Sequence, residues 1–255
     1  MTSIEDKEHA QDVARLDAVI LSVTDPQVAK AFYQAGANMQ SVTSRDVAGR
    51  VALSEDTLWL KAADGRGALL GLKPAKTASE KTGAAKLVFY VKDVDRYADA
   101  LVAAGGELVL SPVAQPGLGG MRVGFGRGFD GQLIEFVGMP DADHSYLSAV
   151  GISVSDLEVS RDYYLQYLGW SQTHFLSVPE QYDEYIMMPA VTGSSALVLM
   201  WWQPGVNLLP VAPPELVFSS LTVGHSRGDH NAEMESVAGS ESLDPDGHAL
   251  MMVAQ

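Results

Sequence analysis

One stretch of this chain is written twice. Leu147–Trp170 reads LSAVGISVSDLEVSRDYYLQYLGW, and Leu16–Gln40 reads LDAVILSVTDPQVAKAFYQAGANMQ. Asp25 and Asp156, Ala18 and Ala149, and the pairs Phe32-Tyr33 and Tyr163-Tyr164 all share one offset, so a structural unit has been duplicated. Both copies must be able to fold into the same elements, which divides the 255 residues into two similar halves.

Each half contains the unit's pattern again in looser form. Leu16–Val23 is an apolar, β-branched run, hence a buried strand, and Asp25-Pro26 opens a helix with a capping carboxylate and a proline at home in the first turn. Val28, Ala29, Phe32 and Tyr33 form its apolar face. Strands are expected at 38–46, 50–60 and 67–73, separated by Gly49 and Asp64-Gly65. Strand, helix and three-strand meander make one βαβββ module. A second follows, with a strand at 87–91, a helix at 93–104 stopped by Gly105-Gly106, and strands at 107–110, 121–126 and 132–137. Residues 112–120 are a Pro/Gly-rich loop able to move over a pocket. The third module has strands near 149–154, 171–176, 184–188 and 195–202. The fourth starts at Leu216–Val223, but the stretch to Leu243 is too short for a full module, leaving at most two helical turns around Asp229–Val237. The fold class is therefore α+β, tandem βαβββ modules with the fourth abbreviated. Its divisions are a polar tail (1–14), an N-terminal domain (15–138), a linker (139–146, in GMPDADHS composition) and a C-terminal domain (147–255).

Composition narrows the partners. With 17 basic and 32 acidic residues the net charge is −15, which repels nucleic-acid phosphates and anionic lipid. No apolar run reaches the roughly 18 residues of a membrane span, and the acidic N-terminus has no signal-peptide core. Zero cysteines exclude disulfides, thiolate metal sites and a cysteine nucleophile. A soluble cytoplasmic protein, monomer or homodimer, binding a small molecule is the expectation.

The phrases VSDLEVSRDYYLQYLGW (154–170), FYVKDVDRYADALVAAGGELV (89–109), GFDGQLIEFV (128–137) and DPDGHALMMV (244–253) resemble the glyoxalase/bleomycin-resistance/extradiol-dioxygenase superfamily, the vicinal oxygen chelate proteins. The resemblance implies paired modules whose curved mixed sheets enclose a cavity. It also implies a divalent metal held from four strand positions, usually by two His/Gln and two Glu, that stabilises a developing oxyanion. Carried onto this chain, the positions in the first half are Ala18, Gly71, Lys86 and Glu135. In the second half they are Ala149, Leu199 or Met200, Glu215 or Phe218, and Met251. Alanine, glycine and methionine offer a hard cation nothing, and lysine repels it. The expectation is therefore no metal and no cofactor.

Lys86 and Glu135 should share a first-domain cavity. Either they form a structural pair in which the ammonium replaces the lost metal charge, or Glu135 is a general base and Lys86 an electrostatic stabiliser. Ala18, Ile20, Ser22, Gly71, Tyr90, Ala149, Gly151, Trp201 and Met251 are the expected substrate-binding positions, small residues making room for an apolar or aromatic ligand. Of the adjacent Trp201 and Trp202 only one can face a cavity. His225, His230, Glu233 and His248 are read as solvated loop residues rather than a metal cluster. Three functions compete: a metal-independent isomerase, lyase or cyclase; a non-catalytic protein that sequesters its ligand; and a metal-dependent glyoxalase or dioxygenase with other ligands.

Overall fold

Three helices begin the same way, and each has an aspartate at its N-cap. Asp25 accepts the Gln27 and Val28 N–H groups at the head of α1 (Pro26–Ala37). Asp93 does the same for α2 (Val94–Ala103), and Asp156 for α3 (Leu157–Leu168). Such a carboxylate satisfies first-turn donors that have no partner within the helix and complements the helix dipole. On α1 the buried face is Ala29, Phe32, Tyr33, Gly36 and Ala37, and the expected Val28 is instead half exposed. The structure, a computed structural model, describes residues 13–43, 56–77, 80–206, 213–221 and 240–253.

The strands follow the modular plan. Module one has β1 (Val13–Val23), β2 (Gln40–Val42), β3 (Leu58–Lys61) and β4 (Leu69–Pro74); module two has β5 (Lys86–Val91), β6 (Glu107–Ala114), β7 (Arg122–Arg127) and β8 (Leu133–Gly138). Module three has β9 (Tyr146–Ser153), β10 (Ser171–Val178), β11 (Tyr182–Met188) and β12 (Ala196–Trp202). Module four is β13 (Glu215–Leu221), β14 (Ser240–Leu243) and β15 (Ala249–Val253); the helical turns expected near 229–237 lie outside the described residues. β6 runs four residues past its expected end at 110, through Pro112. It tolerates the proline because it is an edge strand whose register slips there.

The sheets do not pair as the sequence suggested. One has the order β14-β15-β13-β1-β4-β3-β2 and the other β10-β11-β12-β9-β5-β8-β7-β6. Module one therefore shares a sheet with module four, through antiparallel β1 and β13, and module two with module three, through β5 and β9. The expectation that the two modules of each half would enclose one cavity is corrected. Modules one and two instead meet through their helices: a Cβ on Gly36 of α1 would lie 3.4 Å from the Leu101 Cα of α2. The helix layer and the inward sheet faces form one apolar core, with Leu21, Tyr33, Phe89, Leu101, Ile152 and Phe218 among its buried members. Each sheet turns its other face outward as a separate concave surface.

Each closing turn braces the helix start of the preceding module. Thr24 donates its N–H and hydroxyl to Asp130 (both 2.8 Å), and Ser155 donates the same groups to Asp246 (2.7 and 2.6 Å). The fourth-module turn is the more deeply set. Asp244 Oδ2 accepts the Tyr164 hydroxyl at 2.7 Å and lies 2.8 Å from His248 Nδ1, while Oδ1 accepts the His248 and Asp246 N–H groups. His248 is therefore buried and paired, contrary to the solvated reading; His225, His230 and Glu233 lie outside the described residues. Burial works against the Asp244 charge, but the donors from His248 and Tyr164 outweigh it and hold the carboxyl below its usual range. A carboxylate whose folded pKa is depressed stabilises fully above its unfolded value of about 3.9 and loses that contribution as pH falls through the lower folded value. Asp244→Asn is therefore expected to cost about 2–3 kcal/mol at pH 7. Urea titrations at pH 7 and pH 3 should show the gap from wild type narrowing at the lower pH, and equal gaps would contradict the assignment.

Candidate active site

Period-2 alternation along β5 sends Leu87, Phe89 and Val91 into the helix-side core and leaves Lys86, Val88 and Tyr90 on the concave face. The neighbouring β8 places Glu135 beside Val88, one step from Lys86. On the other side Lys86 stands opposite Gly151 of β9. A Cβ on Gly151 would sit 2.7 Å from Lys86 Cγ and 3.0 Å from Met200 Sδ, so the missing side chain is what lets the lysine lie flat over β9. Lys86 thereby reaches Glu184 on β11, two strands beyond.

The ammonium lies 2.7 Å from Glu135 Oε2 and 2.9 Å from Glu184 Oε2, and all three residues are less than one-tenth exposed. Glu184 accepts a hydrogen bond from Lys86; Glu135 Oε2 is in ionic contact but receives no aligned hydrogen bond. Burial opposes the lysine charge, yet Glu135 and then Glu184 more than offset it, and the pKa of Lys86 is raised. Burial likewise pushes the Glu184 carboxyl up. The Tyr182 ring centroid is 5.7 Å from the ammonium, and burial pushes its hydroxyl up to about 12.

This cluster borders a cavity of ≈ 970 Å³ between modules two and three. Leu118, Val123 and Phe125 line one side; Tyr182, Val178 and Trp202 line the other. The Tyr182 and Trp202 rings meet edge-on at 5.3 Å, and Trp202 Nε1 donates to Ser153 Oγ at 3.0 Å. The expected contributor Trp201 packs against the helix-side core instead, because strand alternation gives the cavity to its neighbour.

Of the expected site residues, the structure gathers Lys86, Glu135 and Gly151. Ala18, Ile20 and Met251 pack into the concave cluster of the seven-stranded sheet, with Trp59, Leu69 and Val217. Gly71 is on the same sheet, where a Cβ would come 2.8 Å from the Trp59 ring, and the backbone N–H of Ser22 on β1 donates to Thr82 Oγ1. Tyr90 meets Tyr146 edge-on at 5.7 Å, and Ala149 is covered by the aliphatic cluster of its own sheet, both outside the cavity wall. The difference has one cause: these positions were assigned to cavities built from the two modules of one half, whereas module one shares its sheet with module four and module two with module three. Glu184 was missed. Its signal was an acid on an alternating strand (Tyr182, Glu184, Ile186), but its partner lies 98 residues away.

The strand positions implied for a metal can now be read in register. Glu135 lies beside Val88 and Val198 beside Gly151, so the second-half position is Val198 rather than Leu199 or Met200. On this sheet face the four positions are then Lys86, Glu135, Ala149 and Val198, a set with one oxygen donor and an ammonium already against it. On the other sheet Glu215, opposite Ile20, is taken by an ion pair with Lys73. Among the described residues no group of three or more His, Asp or Glu side chains is placed to hold a metal ion. These residues do not fit the divalent ion implied by the resemblance.

Two curved mixed sheets, each shared by a pair of modules, define the class of fold. Residues 15–136 match the glyoxalase/bleomycin resistance protein/dioxygenase superfamily. Over nearly the whole chain the fold is that of glyoxalase I from Zea mays: TM-score 0.70, 18% identity, 95% of this chain and 93% of that one. The V278E mutant of the maize protein gives TM-score 0.72 at 19% identity, with 96% and 93% covered. A putative dioxygenase from Bacillus subtilis gives 0.61 at 10% identity, with 96% and 86% covered. No curated protein sequence matches the chain significantly. No helix among the described residues is long and apolar enough to cross a membrane.

Proposed function

We propose that this protein is an enzyme of the isomerase, lyase or cyclase type that works without a bound metal on a small, largely apolar or aromatic molecule in the cavity between modules two and three. Glu135 is the base. The observation that carries this reading is a nearly buried carboxylate on the cavity wall, held against the Lys86 ammonium at 2.7 Å. A base must be ionised, reachable, and not already saturated with donors. Lys86 sets its ammonium against the Glu135 carboxyl, and Glu184 anchors the lysine from the other side. The substrate supplies the proton, and the apolar walls exclude the water that would compete for it.

The test begins with a thermal-shift screen of small aromatic compounds, since a ligand selective for the folded state raises its apparent stability. Each hit is then incubated with the protein and its products analysed. Chemical conversion of a hit supports the enzyme. Hits that stabilise and come back unchanged establish a sequestering protein instead.

A further inference from the structure

The charged lining of the cavity between modules two and three is Lys86 and Arg127 against Glu135 and Glu184, and it balances. Each of these groups is already engaged within the protein. The Lys86 ammonium lies 2.7 Å from Glu135 and 2.9 Å from Glu184. Arg127 donates to the Gly131 carbonyl at 3.3 Å and stands opposite Glu107 across β6 and β7. Tyr182, whose hydroxyl is pushed up to about 12, stays uncharged at neutral pH. An ionic ligand would give up water without finding a free counter-charge, or would part a pair and strand one of its members. An uncharged ligand meets neither cost. Size narrows the choice further: ≈ 970 Å³ is at the upper end of the roughly 300–1,000 Å³ of ligand pockets, which leaves room for fused rings. The wall supplies the shape. Phe125, Tyr182 and Trp202 line it, and the Trp202 indole is fixed from two sides, by the Tyr182 ring edge-on at 5.3 Å and by donation from Nε1 to Ser153 Oγ at 3.0 Å. Rings held in place are preorganised surfaces for an aromatic body. Gln115, Ser177 and Gln181, also on the lining, bring neutral hydrogen-bonding groups for its polar atoms.

We infer that the cavity takes an uncharged, flat molecule of fused aromatic rings, and that Trp202, oriented by Ser153, sets the preference for flat rings over saturated ones. The inference rests on the assignment of the cavity as the ligand site and deepens it by naming the class of molecule that the site admits. Binding of this kind needs no conversion of the ligand, so it stands apart from the role of Glu135 as a base.

The full chain is titrated calorimetrically at pH 7 with four matched probes: 2-naphthylmethanol, its saturated counterpart decahydro-2-naphthylmethanol, the cation of 2-naphthylmethylamine and the anion 2-naphthoate. The naphthyl alcohol is expected to bind at least about tenfold tighter than either ion, whose charge must be stripped of water. It should bind about threefold tighter than the saturated alcohol, the share of affinity that ring–ring contact adds to burial. In Trp202→Leu that advantage over the saturated alcohol should vanish, while the preference for the alcohol over both ions stays. Should that variant not fold, Ser153→Ala replaces it, and releasing the indole should cut the same advantage about twofold. Either ion binding as tightly as the naphthyl alcohol overturns the uncharged class. A saturated alcohol that matches the naphthyl one in the wild type, or an advantage indifferent to Trp202 and Ser153, overturns the role of the wall. Binding of none of the four removes the cavity as the ligand site. The expected order of affinities with no conversion of any bound compound supports the inference while the enzyme reading falls.

Discussion

Lys86→Met is expected to destabilise the fold by about 3–5 kcal/mol at pH 7, the cost of leaving buried charge without its partner. Methionine keeps most of the stem that lies over Gly151, so packing changes little and the loss reports charge. Glu135 and Glu184, both on the concave face and less than one-tenth exposed, would then confront each other with no cation between them. Burial already pushes the Glu184 carboxyl up, and without the lysine that opposes this shift it would rise further, so the native state would bind a proton more strongly than the unfolded one. The sign follows: the variant regains stability as pH falls, and its gap from wild type is largest at neutral pH. Lys86→Met combined with Glu135→Met and Glu184→Met removes every charge and is expected to recover most of the loss, because replacing a whole buried ionic cluster by apolar side chains is near neutral. Urea denaturation measures all of these, and a Lys86→Met variant within 1 kcal/mol of wild type would mean that water reaches the cluster freely.

Glu135→Gln is expected to lower kcat on a converted compound by about 10²–10⁴-fold. The amide is nearly isosteric but has no basic oxygen at neutral pH, so the proton-transfer step loses its acceptor while the cavity keeps its shape. Reading kcat at saturating substrate separates this from any weakening of binding that the lost charge causes. Glu135→Asp retains the base but withdraws it by one methylene, and should fall between wild type and Gln. Unchanged kcat in the Gln variant would remove Glu135 from the chemistry and leave the Lys86 cluster a purely structural device.

Lys86 and Glu135 were legible as a pair because each sits at a defined step of its own strand, and strand alternation is a local property. Glu184 was not, since nothing local says that β11 curls back over β5. Trp202 shows the limit most simply. Alternation requires Trp201 and Trp202 to face opposite ways, but only the position of the helices decides which faces the cavity. His248 carried no hint of its partner Asp244 beyond the spacing of a turn, and its burial depends on Tyr164 arriving from α3.

The chain's own order of residues determined the modules: three capped helices, the strands around them, and the repetition that makes the halves alike. Tertiary structure alone decided which modules share a sheet. The first strand of each module spends one edge on its own meander and leaves the other edge free, and free edges are chemically alike along their backbones. Their choice is made by side chains far apart in sequence. In the folded chain α1 packs on α2, β1 pairs with β13 and β5 pairs with β9. That long-range choice put Lys86, Glu135 and Glu184 around one cavity.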